Sequence, residues 1–230
     1  MAAEAPRDVI WMRPERSTAG RPAQRSRAEI TAAAVAIADR EGLDAVSMRR
    51  VGAELGTGAA SLYRYLDNRE DLLDLMADCT GAEYRLAAPS GDWLADLIEL
   101  GQQARAIMRR HPWLAALVTA RPVLGPNGLA LLEHFLGVLS PHPADDATKL
   151  EAFAMLIAVT ALFVLNELSG GSAAQQRNAV YLQHAATSGR YPRLAGMLAQ
   201  PLTTVGPADR YGDILARVLV GVLGPAAAPA

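Results

Sequence analysis

GTGAASLYRYLDNREDLL, Gly56–Leu73, decides how the rest of the chain is read. Its helical candidate, Gly58–Tyr65, begins with small residues and ends in two tyrosines around an arginine. A helix that only fills a core has no reason to spend its first turn on Gly-Ala-Ala-Ser. Three uses fit so lean an element: cradling a phosphate, lying in a groove, or making a poorly packed surface turn. Gly56-Thr57-Gly58-Ala59-Ala60-Ser61 nearly matches the dinucleotide fingerprint G-x-G-x-x-G/A, but that fingerprint must follow a strand within a βαβ unit. Here the preceding pattern is helical. The chain also lacks G-x-x-x-x-G-K-[ST], and Lys149 is its only lysine. The loop does not hold a nucleotide.

Working outward, Ser26-Arg27-Ala28-Glu29 forms a capping box, in which the serine accepts from the Glu29 amide and the glutamate reaches back. Ile30, Ala33, Ala34 and Ile37 then make the stripe of an amphipathic helix that Gly42 ends. Ser47 caps a second helix whose inner face is Met48, Val51, Gly52 and Leu55, and Gly56 breaks it. Asn68 caps a fourth helix with Leu72, Leu73, Leu75, Met76 and Cys79 as its apolar positions. Two helices joined by a tight glycine turn, with a third across them, make a helix-turn-helix whose second helix enters the DNA major groove. Leu62 anchors that helix, while Ser61, Tyr63 and Arg64 offer donors to bases or phosphates.

Beyond Ala87–Gly91 the periodicity predicts helices near 92–110, 113–120, 127–139, 145–168, 173–187 and 208–223, separated by Pro and Gly signals. No segment alternates as a strand should. The expected fold is all-α: an N-terminal helix-turn-helix domain over 26–80, preceded by a flexible Arg-rich arm over 1–25, and a larger helical bundle over 81–230.

Charge supports this division. Residues 1–65 carry ten Arg against eight Asp and Glu, whereas the whole chain has a net charge of −2. Arg13–Arg27 contains five Arg and one acid, Glu15, and reads either as a minor-groove arm or as a solubilising tail. One cysteine, Cys79, excludes an internal disulfide and points to a reducing compartment. The opening MAAEAPRDVI is not a signal peptide, and the longest apolar run, Ala152–Leu165, is too short to span a bilayer. A cytoplasmic protein with no membrane partner is expected.

The stretch RAEITAAAVAIADREGLDAVSMRRVGAELGTGAASLYRYLDNREDLLDLMAD, Arg27–Asp78, resembles the TetR family of bacterial transcriptional regulators. Gly42, Ser47-Met48-Arg49-Arg50, Leu55-Gly56, Leu62-Tyr63-Arg64-Tyr65 and Asn68 carry the resemblance in order. More weakly, His111-Pro112-Trp113-Leu114 and Arg121–Asn127 are similar to the C-terminal domain of the tetracycline-repressor branch. The resemblance implies a homodimer on double-stranded operator DNA, released by a small-molecule inducer that moves the two DNA-binding domains apart. It implies that Thr57, Gly58, Ala59, Ala60 and Ser61 face bases, that Tyr63 and Tyr65 meet the DNA backbone, and that Arg69 meets a phosphate. Met48 and Arg49 would stand at the DNA-facing start of the second helix, with Arg50 raised to a phosphate candidate by the motif alone. The tyrosines also read as packing residues; one of each is preferred, with Tyr63 facing DNA and Tyr65 partly buried. Ala59 and Ala60 can read little beyond a thymine methyl. That leaves open a helical small-molecule-binding protein without specific DNA recognition.

Met108, Trp113, Phe135, Phe153, Met155 and Phe163 are candidates to line the inducer pocket or to fill the core. Thr160, Asn166 and Glu167 are polar pocket candidates on an otherwise apolar helix, with the dimer interface or a helix cap as alternatives. Helices 145–168 and 208–223 are apolar on more sides than a surface helix needs, so both are expected in a four-helix dimer interface, with Leu219 among the contacts. No histidine has metal-ligand spacing, and Leu117 stands where the resemblance would place a metal-binding histidine, which argues against a magnesium–tetracycline inducer. No G-x-S-x-G or catalytic cysteine pattern occurs, so neither enzymatic activity nor a cofactor is expected.

Overall fold

The computed structural model describes residues 9–14, 25–121, 124–171, 173–199 and 207–224. Its elements are α1 (Arg27–Glu41), α2 (Met48–Glu54), α3 (Ala59–Leu62), α4 (Arg69–Gly81), α5 (Trp93–Arg110), α6 (Pro112–Ala120), α7 (Pro126–Val138), α8 (Asp146–Leu168), α9 (Ala173–Thr187), α10 (Pro192–Leu198) and α11 (Pro207–Leu223). No strand occurs among the described residues. The all-α expectation holds.

Local chemistry sets most boundaries. The Ser26–Glu29 capping box forms in both directions, Ser47 accepts from the Arg50 amide and Asn68 from the Asp71 amide. Pro112 and Pro126 occupy the first positions of α6 and α7, where a missing N–H costs nothing. One helix, α10, has no counterpart among those expected. The anticipated Gly58–Tyr65 helix is shorter: α3 keeps one turn, and Arg64 and Tyr65 donate instead to Ser61 and Leu62, three residues back.

Two hydrophobic cores form, and they do not divide at residue 80. The first joins Ile30, Ile37, Val51, Leu62, Leu72 and Met76 to Ile107, Trp113, Leu114, Ala161 and Val164, so α1–α4 share their core with α5, α6 and the end of α8. The second gathers Leu97, Leu131, Phe135, Leu156, Tyr211, Leu215 and Leu219 between α5, α7, α8 and α11. By length and apolar composition α8 would pass for a membrane span. Ala152, Leu156, Thr160, Ala161 and Val164 bury one side of it, and it packs against α5, α6 and α11, as a core helix does.

The expected arm begins differently. Ile10 is 1% exposed and packs in the first core, and Arg13 pairs with Asp67 and, at 2.6 Å, with Asp71. Arg25 donates to the Leu55 carbonyl at 2.6 Å, and Arg27 donates to the carbonyls of Arg13 (2.8 Å) and Tyr65 (3.1 Å). Three of the five arginines assigned to an arm therefore secure the fold; Arg16 and Arg21 lie outside the described residues.

The α2–α3 turn depends on Gly52. A Cβ there would stand 2.9 Å from the Thr57 carbonyl oxygen and 3.1 Å from the Ala59 nitrogen, both rigid backbone atoms. Gly56, at φ 66°, makes the reversal itself. Gly52→Ala is expected to destabilise the protein by about 1–3 kcal/mol. Gly58→Ser, placed in open space at a helix N-cap, should change stability by less than about 0.5 kcal/mol. Urea denaturation of the two variants checks the contrast.

Candidate nucleic-acid interface and ligand cavity

The outer surface of the helix-turn-helix is built from few side chains. Gly58, Ala60, Tyr63 and Arg64 are exposed, while Thr57, Ala59 and Ser61 are half-buried. Leu62 and Tyr65, 0% and 9% exposed, hold the turn to the core, while Tyr63 is 52% exposed. Thr57 and Ser61 hydroxyls are 2.7 Å apart, and Ser61 donates to the Gly58 carbonyl at 2.8 Å. With the Ser61 proton on the Gly58 carbonyl, the Thr57 hydroxyl donates to the Ser61 oxygen.

Among the cations, Arg49 is exposed and makes no ion pair among the described residues. Arg50 pairs with Glu41 at 2.8 Å and Glu54 at 2.9 Å, and its hydrogen bond is the main cause holding the Glu41 carboxyl below its usual range. Arg69 is half-buried and donates to the carbonyls of Val46 (3.0 Å) and Leu43 (3.3 Å), bracing the turn before α2. Met48, expected at the DNA-facing start of α2, is 6% exposed and belongs to the core. The geometry thus leaves Arg49 without a side-chain partner among the described residues, while Arg64 makes one long bond, 3.5 Å, to the Ser61 carbonyl of its own turn.

A cavity of about 560 Å³ lies between α4, α6, α7 and α8. Its wall is mostly apolar, with Leu114, Val118, Leu131, Leu132, Phe153 and Ile157 among the lining residues. Of the pocket candidates read from sequence, Met108 and Phe153 line it. The others go elsewhere. Phe135 is fully buried against Phe153, ring centroids 5.3 Å apart, and Trp113 donates its Nε1 proton to Asp39 at 2.7 Å. Thr160 is hydrogen-bonded to Leu156 and Tyr211, Phe163 stacks edge-on against Tyr211, and Glu167 pairs with Arg105. Met155 and Asn166 are on the outer face of α8. The lining that sequence reading missed follows a stripe on α8, Leu150, Phe153, Ala154, Ile157 and Ala158, with Ala77, Thr80, Gly81 and Tyr84 from the α4 side. A second hollow, beside Arg85 and His134, is bordered by groups already paired: Glu83 with Arg110, and Gln103 with the Arg85 backbone.

Carboxylates tie α4 to the larger bundle. Asp74 receives Arg121 at 2.7 and 3.1 Å, and Asp78 receives the Gly128 amide at 2.9 Å and the Asn127 side chain at 3.1 Å. Just past α4, Glu83 pairs with Arg110 and lies 2.8 Å from His111 Nε2, while Asp39 of α1 lies 2.8 Å from His111 Nδ1. Burial alone would raise the Glu83 pKa, but the hydrogen bonds from Arg110 and His111 outweigh it and hold the carboxyl below 4.5.

Comparison with known proteins places this geometry. Residues 30–76 match the profile of the family described as "Bacterial regulatory proteins, tetR family", and residues 87–224 match that of "Tetracyclin repressor-like, C-terminal domain". The HTH-type transcriptional repressor DrrR1 of Streptomyces coeruleorubidus is 33% identical over 228 residues, covering 94% of this chain and 83% of the relative. ActR, a TetR family protein of Streptomyces coelicolor, was solved with (S)-DNPA; it is 33% identical with a TM-score of 0.75, over 87% of this chain and 98% of ActR. ActR has also been solved with actinorhodin, at 30% identity and a TM-score of 0.72, over 87% and 99%.

Two outcomes are expected from these contacts. Arg49→Ala should flatten the dependence of log binding constant on log salt by about one, and Arg50→Ala by less, because Glu41 and Glu54 already neutralise it; DNA titrations at several salt concentrations measure both. The lowered Glu83 pKa adds stability above its unfolded value, and that contribution disappears as pH falls through the folded one. Glu83→Gln should therefore start less stable and lose less urea resistance than wild type between about pH 6 and about pH 3.

Proposed function

The chain belongs to the TetR family of bacterial regulatory proteins and is a DNA-binding transcriptional regulator rather than an enzyme; from that premise we propose that it is a cytoplasmic homodimeric repressor of a palindromic operator, released when a small molecule fills the α4–α8 cavity. One observation carries the reading. Helix α4 starts against the helix-turn-helix, where Asn68 caps it and Leu72 and Leu73 are buried, and ends in the cavity wall with Ala77, Asp78, Thr80 and Gly81. A thirteen-residue helix held at both ends transmits a displacement of one end to the other. The DNA-facing set is Thr57, Gly58, Ala60, Tyr63 and Arg64 from the turn, with Arg49 from α2.

Dimerisation is supported by the outer face of α8. Met155 and Leu162 are 45% and 60% exposed. On α11, Val220 is 39% exposed and Ile214, Val218 and Val222 are half-buried. Leu219 corrects the sequence reading: it is 0% exposed, within the second core of its own chain, and cannot serve an interface. Exposed Val180, Tyr181 and Leu182 on α9 add further apolar surface for a second copy to cover.

The test combines operator binding with oligomeric state. Footprinting on the DNA upstream of the protein's own coding sequence should show two symmetric half-sites about 34–36 Å apart or a multiple of that. Leu162→Arg should yield folded monomers with operator affinity reduced by at least about a hundredfold, since a buried unpaired charge costs several kcal/mol. Leu219→Arg should instead unfold the chain. Sedimentation and circular dichroism separate the two, and a Leu162→Arg protein that remains dimeric removes α8 from the interface.

A further inference from the structure

The polar groups around the cavity are not alike. Thr80 donates to the Ala77 carbonyl at 2.7 Å, and Thr119 donates to the carbonyls of Ala115 and Ala116 at 3.0 Å. The Asp78 carboxylate is occupied by Asn127 and the Gly128 amide. Tyr84 also lines the cavity, yet its hydroxyl has no hydrogen-bond partner among the described residues. Nor is that oxygen among the unpaired atoms sealed inside protein, so it borders open space. Desolvation raises its pKa well above that of an ordinary phenol, which keeps the proton on the oxygen.

An unpaired donor in an apolar chamber selects its ligand. A molecule with an acceptor at the right place relieves the phenol, and one without it leaves the phenol unpaired and desolvated. The charge balance narrows the class further. Among the described residues Asp78 is the only charged one in the wall, and no cation lines it. An anion would therefore be desolvated without a counter-charge. A volume of about 560 Å³ suits a ligand of several rings.

We propose that Tyr84 is the specificity-determining donor of this cavity, hydrogen-bonding a carbonyl or similar neutral acceptor oxygen on an otherwise apolar, multi-ring effector; this rests on the cavity being the effector site. Its position gives the bond a second use. Tyr84 follows α4 by three residues and packs against both hydrophobic cores. A ligand that engages the hydroxyl pulls on the segment joining the DNA-binding helices to α5.

Anthracene and 9,10-anthraquinone, alike in shape and different in their carbonyls, make the test on the full chain. Anthracene is titrated by its own fluorescence and the quinone by competition. Wild type should bind the quinone about tenfold more tightly, and Tyr84→Phe should abolish that preference, with anthracene bound at least as tightly as by wild type. A preference that survives in Tyr84→Phe, or is missing from wild type when both probes bind, overturns the assignment and leaves the cavity reading standing. Val118→Trp, which fills the cavity, should abolish binding of both probes. Unchanged binding in that variant, or no binding to wild type, overturns the cavity reading and this inference with it. Infrared difference spectra of wild type supply a check that needs no variant. The bound quinone carbonyl stretch should move to lower frequency than in hydrocarbon solvent, and an unshifted band overturns the hydrogen bond.

Discussion

The carboxylate of Asp78 sits at the first turn of α7, where it accepts the Gly128 amide and the Asn127 side chain. A helix N-terminus carries unpaired amides and partial positive charge, so a carboxylate from another helix satisfies both at once, an arrangement worth about 0.3–2 kcal/mol. Asp74, four residues earlier on the same face of α4, holds Arg121 at the end of α6. These bonds fix α4 to the bundle while its apolar side belongs to the core of the helix-turn-helix. With the first core running continuously from Ile30 to Val164, no seam separates reading head from cavity. The helices of the helix-turn-helix cannot change orientation without disturbing groups that line the cavity.

The local features of this fold were legible in the sequence because their causes are local. Ser26, Ser47 and Asn68 cap helices through amides three residues away, and Gly42 ends α1 at a positive φ of 86°. What could not be read was the partner of a long side chain. Arg27 and Arg69 look like DNA contacts in one dimension, yet both reach backbone carbonyls far away in sequence. Ile10 lacked any periodic companion and so looked like part of a tail.

Helical phase was the other blind spot. In an element apolar on most sides, hydrophobicity does not say which residue faces inward, and α8 is of this kind. Leu162 and Leu219 are the same residue type in similar surroundings, and one is 60% exposed while the other is 0%. The pocket candidates failed for the same reason. Phe153 lines the chamber and Phe135, the ring it touches, closes the wall behind it. Tyr84 belongs to no motif, and the role proposed for it comes from what its hydroxyl does not touch.

Gly58, Ala60, Tyr63 and Arg64 stand clear of the core, whereas Gly52, Leu62 and Tyr65 keep the turn in place. Residues that choose a partner and residues that hold the backbone are therefore interleaved in sequence but separate in their energetic duties. Drift at the outward positions leaves folding untouched. A duplicated copy of this chain could acquire a new operator through a handful of exposed changes, keeping its chamber and its coupling helix intact.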